Sequence, residues 1–146
     1  MKKTLVSFFI TLCLLLTLPM TVSAENKPFA EKKVVLQISD ADPFKQTLVL
    51  NVANNLIKHY GQDRVNVEIV AFGPGMKLLV AKNKNKQRVS SLSDQGVTFS
   101  ACSNTIKAMT KKAGKPIKLS QAAKAVPAGV VQIMDLVGNG YTLIKP

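Results

Sequence analysis

Gly96-Val97-Thr98-Phe99-Ser100-Ala101-Cys102-Ser103-Asn104-Thr105 is the stretch on which the fold turns. Gly96 stops the segment before it, and Val97 to Ala101 has the β-branched and aromatic content of a strand. Small polar residues follow at once and open a helix, expected over Asn104 to Lys112 and closed by Gly114. A strand that passes straight into a helix is the building unit of a parallel sheet. Cys102 stands at that junction.

The same rhythm extends towards the N-terminus. Lys33-Val34-Val35-Leu36-Gln37-Ile38-Ser39 is nearly all apolar, as expected of a strand buried on both faces. Asp42 then offers an N-cap and Pro43 a first helical residue. Leu48, Val49, Val52, Leu56 and Ile57 recur at helical spacing, and Gly61 is placed for a left-handed cap after His59-Tyr60. Val65 to Phe72 is a second strand. Gly73-Pro74-Gly75 turns the chain into a short helix around Met76 to Val80, and Lys82 to Arg88 reads as a basic loop or an exposed helix end. A further short helix is expected over Val89 to Gln95.

Towards the C-terminus, a brief extended piece is expected near Ile117 to Leu119, with a polar turn running to Lys124. A helix over Val126 to Val137 and a short strand over Tyr141 to Ile144 complete the pattern. Alternating strands and helices predict one three-layer α/β domain with a mostly parallel sheet of about five strands. The right-handed crossover rule leaves few ways to arrange them.

The first 24 residues read differently. Lys2-Lys3, the apolar run Leu5 to Leu18, Pro19 and the small residues of Val22-Ser23-Ala24 form a secretory signal in the expected order. The apolar run is shorter than the roughly 20 residues of a membrane span, so a cleaved leader and no stable membrane span are expected, with a retained N-terminal anchor as the alternative. Cleavage is placed after Ala24, with Ala30 as the weaker site. Cys13 lies too early in the run for a lipoprotein site, and Leu12 before it is too large. The expected organisation is a signal peptide over 1–24, a flexible polar leader over 25–32 and the α/β domain over 33–146. A periplasmic or secreted location follows.

Removing 24 of 146 residues leaves 122, enough for one domain with its own core. Of the two cysteines only Cys102 stays, so no internal disulfide is available, and an unpaired cysteine in an exported protein points to a functional thiol or an intermolecular bond. The 20 basic and 8 acidic residues become 18 and 8, a net charge near +10 that favours acidic partners or anionic surfaces.

At a strand end in an open parallel sheet, Cys102 lies where such folds bind their ligands. The first turn of the following helix supplies free N–H groups and positive potential, which favour the thiolate. Ser103 or Asn104 can cap that helix, and Lys107 adds charge one turn on. The plain alternative is an inert cysteine packed as a small hydrophobe.

The longer pattern resembles the DsrE/DsrF-like family, which includes the YchN-like proteins. The matching pieces are Val34-Val35-Leu36-Gln37-Ile38 with Asp40, Ala71-Phe72-Gly73-Pro74-Gly75, and the Gly96 to Thr105 stretch. Val126-Pro127-Ala128-Gly129-Val130 and Gly140-Tyr141-Thr142-Leu143-Ile144-Lys145-Pro146 follow in order. The resemblance implies a flavodoxin-like fold, a homotrimer or homohexamer, and a functional cysteine at Cys102 that carries a persulfide between partner proteins. It departs from the family in two respects: the described sulfur carriers work in the cytoplasm whereas this chain carries an export signal, and no partner subunit sequence accompanies it.

Other features admit plainer readings. His59 is the only histidine, at an expected helix end where it complements the dipole. Without a second histidine or a CxxC, neither a metal site nor a catalytic triad is expected. Gly73-Pro74-Gly75 lacks the spacing of a phosphate loop, so no nucleotide cofactor is expected. The backbone of Gly73 and Gly75, with Asp40, could still line the crevice beside Cys102. The basic Lys82–Arg88 cluster has no interleaved aromatics, so nucleic acid is not an expected partner. The apolar residues Val130, Val131, Ile133, Met134 and Val137 cover more than one helix side, as in a buried or oligomer-facing helix. Sulfur donor and acceptor proteins are the expected partners. A small-ligand binding or assembly module and a redox-sensing thiol remain the rival functions.

Overall fold

A computed structural model describes residues 27 and 29–146. The expected signal peptide and its cleavage site after Ala24 lie outside the described residues. Five strands form one sheet: β1 (Lys32–Ile38), β2 (Val65–Ala71), β3 (Thr98–Cys102), β4 (Ala123–Val126) and β5 (Thr142–Ile144). Their order is β4-β3-β2-β1-β5, and every pairing is parallel. Four α-helices join them: α1 (Pro43–Tyr60), α2 (Lys86–Asp94), α3 (Ser103–Ala113) and α4 (Gly129–Gly138). A 3-10 helix spans Gly73–Leu79. This is the three-layer α/β architecture expected, consistent with the flavodoxin-like fold.

The strand order decides which face each helix covers. From β1 to β4 the chain steps always in one direction, so right-handed crossovers put α1, the 3-10 helix, α2 and α3 on one face. The main core lies there: Leu36, Ile69 and Phe99 from the sheet meet Leu50, Leu79 and Val89. From β4 the chain returns across the sheet to β5, and α4 alone lies on the opposite face. Ile133 and Leu136 cover Val35 and Val70 in a much smaller cluster. One short helix cannot cover a five-stranded sheet. Val130, Val131, Met134, Val137 and Leu143 all remain exposed on or beside it.

Four local expectations need correction. The stretch after α3 contains a strand, β4, where a polar turn was expected; the extended piece at Leu119 instead makes an isolated antiparallel bridge to Val80. The last helix begins at Gly129, not Val126, because Val126 completes the parallel ladder opposite Cys102. Gly61 has positive φ (89°), but its ψ of 146° lies outside the left-handed helical region. Neither Ser103 nor Asn104 caps α3: both lie inside the helix, Cys102 is its N-cap, and no side-chain hydrogen bond closes that end. Two other helix ends behave as expected. The Asp42 carboxylate accepts from the Phe44 N–H at 2.9 Å and Pro43 is the first helical residue, while α3 closes on Gly114 in the left-handed conformation.

Candidate functional site

The site follows from the crossover geometry. β3 and β4 are neighbours, yet the chain leaves β3 towards α3 on one face and β4 towards α4 on the other. This divergence is the topological switch point, where a crevice opens outside the carboxyl ends of the strands. Cys102 is the last residue of β3 and the N-cap of α3, paired in register with Val126 of β4. Two helices therefore begin beside its sulfur, α3 at Ser103 and α4 at Gly129.

Alternation along β3 fixes the direction of the thiol. Phe99 and Ala101 enter the main core, so Thr98, Ser100 and Cys102 face the α4 side. Cys102 is 5% exposed and belongs to neither apolar cluster. It is a free thiol. Burial is the largest single influence on its acidity and raises the pKa. Against it stand the Thr105 hydroxyl and the backbone N–H groups of Thr105, Gly129 and Asn104, and together they outweigh burial. The thiol is held below its ordinary pKa.

Thr105 is oriented for this task. Its Oγ1 accepts a hydrogen bond from the Gly73 N–H at 2.9 Å, which leaves the hydroxyl hydrogen to turn towards the sulfur. The glycine-rich turn thus acts on Cys102 through one intermediary. Gly75 keeps the turn in place by close approach: a Cβ there would lie 2.3 Å from the Ile38 carbonyl oxygen. Gly129 has the same role on the other side, since a Cβ would meet the Phe72 Cβ at 2.9 Å. Only glycine lets the start of α4 sit this close.

The expected site residues divide into two groups. Cys102, Ser103, Asn104 and Gly73 are brought together around the α3 start. Lys107 is exposed and is not among the principal groups that lower the thiol. Asp40 is engaged elsewhere: its carboxylate pairs with Lys45 at 2.6 Å and accepts from the Asp42 N–H, and these contacts hold its pKa down. Thr105 and Gly129 complete the site but were not singled out. Thr105 occupies the third helical position, where a side chain can reach back to the N-cap, and this is the signal that was available. Gly129 lies 27 positions away, and no local pattern connects it to Cys102.

Glu68 was also not anticipated. Buried on the α4 face, its Oε1 accepts from Ser100 Oγ at 2.6 Å and from Gln132 Nε2 at 2.8 Å, which ties α4 to the sheet. Burial, and then the Glu68 charge, push the Tyr141 pKa up. His59 is exposed and meets the Tyr60 ring edge-on at 4.7 Å. Among the described residues no three His, Cys, Asp or Glu side chains gather into a metal site, and no helix is long and apolar enough to cross a membrane.

Among the described residues one free thiol, held below its ordinary pKa, stands at the switch point of a parallel sheet, which makes the class a thiol-bearing three-layer α/β protein. The chain belongs to the DsrE/DsrF-like family, whose model matches residues 32–146. A similar solved structure is that of a protein of unknown function, MTH1491, from Methanobacterium thermoautotrophicum. It is 30% identical, with a TM-score of 0.71 over 80% of this chain and all of that one. No curated protein matches.

Proposed function

We propose that this protein is an exported sulfur carrier or transferase that holds a persulfide on Cys102. The observation that carries this reading is the lowered pKa of a free thiol set between two helix starts. Membership of a sulfur-relay family supports it. The chemistry needs no oxidant. The Cys102 thiolate attacks the outer sulfur of a donor persulfide, a new S–S bond forms at Sγ, and the donor's own S–S bond breaks to release its thiolate. An acceptor thiolate then attacks the outer sulfur, takes it as a persulfide and returns Cys102 as thiolate. N–H groups and a hydroxyl around Sγ stabilise the anion at both ends of this cycle.

Assembly and location belong to the same proposal. The exposed apolar side of α4, led by Met134 at 68% and Val130 at 55% exposure, suits burial in a homotrimer or homohexamer. The signal-like order of the first 24 residues supports a periplasmic or secreted location for the mature protein. Labelled sulfur passed from a persulfide donor to an acceptor thiol tests the reaction. Transfer by the native protein and none by Cys102→Ser is expected; equal transfer by both contradicts it. A redox-sensing thiol would instead form a disulfide-linked dimer under oxidative stress, visible on non-reducing gels.

A further inference from the structure

Between the 3-10 helix and α3 runs an open groove of about 780 Å³. Pro74, Ala108, Met109, Ala113 and Ile117 give it apolar walls, and Lys77 and Lys112 stand exposed at its sides. It ends at Asn104 and Thr105, two of the residues that act on the Cys102 sulfur, while the thiol itself is not part of its lining. Its lining carries two lysines and no acidic residue. From Gln95 to Met134 the chain carries no acidic residue at all, whereas Lys107, Lys111, Lys112, Lys115, Lys118 and Lys124 fall in that span.

We propose that this groove docks an acidic amphipathic segment of a partner protein, with its apolar residues on Met109 and Ile117 and its carboxylates towards Lys77 and Lys112. That the partner is the sulfur donor or acceptor rests on the reading of Cys102 above; the docking itself does not. The groove's chemistry decides against the other polyanions. No aromatic residue lines it, so nucleic-acid bases have nothing to stack on. A flat membrane surface cannot follow a concave floor between two helices, whereas an amphipathic segment can. Complementary charge also speeds encounter, which suits a partner that must arrive, exchange one atom and leave.

A photo-crosslinking residue at Ala113, in the full mature protein within its own compartment, tests this. The same residue at Asn55, exposed on α1, serves as the control. The expected adduct at Ala113, mapped by peptide mass spectrometry, is a segment of another protein that combines acidic and apolar residues. Its yield should fall at least about ten-fold in the Lys77→Glu/Lys112→Glu double variant and in high salt, and persist in Cys102→Ser. Both lysines are exposed, so the double variant keeps its fold. An adduct with lipid, nucleic acid, a second copy of this chain or a segment without acidic residues overturns the proposal. So does a yield that the double variant leaves unchanged, one no higher than at Asn55, or one that Cys102→Ser abolishes. Docking that persists while Cys102 never carries sulfur leaves the groove standing and removes the function proposed for the thiol.

Discussion

Cys102 is governed by a contest between burial, which raises its pKa, and oriented donors, which lower it further. Thr105→Val keeps the β-branched shape but removes the hydroxyl. The midpoint of Cys102 alkylation against pH should therefore move upward, and an unchanged midpoint would remove Thr105 from the site. The sign for stability follows. A thiol whose folded pKa is depressed stabilises the fold fully above its unfolded pKa, about 8.5, and loses that contribution as pH falls through the folded pKa. The stability advantage of the native protein over Cys102→Ser should thus grow with pH across that window, as denaturant titrations at several pH values would show. Gly129→Ala tests the other helix start. The added methyl meets Phe72, and a loss of about 1–3 kcal/mol is expected together with a raised thiol pKa. A stability loss without the pKa change would mean that the Gly129 N–H does not act on the sulfur.

At the scale of elements, α4 is a helix with two different sides. Ile133 packs on the sheet, while Met134 beside it is 68% exposed. Ile133→Ala should cost about 2–4 kcal/mol in thermal or chemical unfolding, whereas Met134→Ala should change monomer stability by less than about 0.5 kcal/mol. The elements that the sequence made legible are those with strong local signals. β1 is a nearly all-apolar run and β2 is rich in β-branched residues, α1 opens with Asp42-Pro43, and the passage from Phe99 to Thr105 marks both β3 and α3. β4 escaped because Ala123-Lys124-Ala125-Val126 is a short, half-exposed edge strand: it has neither the apolar run of a buried strand nor a clean alternation. The site shows the same division. Cys102, Ser103 and Asn104 are contiguous and could be read together, but the Gly73 N–H that orients Thr105 lies 32 positions away and is brought there only by the sheet.

For the whole molecule, the strand order has one large consequence: a single helix is left to cover one entire face of the sheet. The apolar residues left open on that face are the reason to expect assembly. Val131→Glu with Met134→Glu should convert the proposed oligomer to monomer in sedimentation experiments, since two charges placed in the proposed apolar interface would oppose association. A native protein that already sediments as a monomer would contradict the assembly. Export has its own test, because N-terminal sequencing of the mature protein should begin at Glu25.

Whether Cys102 carries sulfur is decided by intact-mass spectrometry. Mature protein incubated with a persulfide donor should gain about 32 Da, one sulfur atom. The added mass should map to the peptide that holds Cys102 and disappear on treatment with a thiol. A protein that gains no mass while a known carrier does so in the same mixture would show that Cys102 does not carry sulfur.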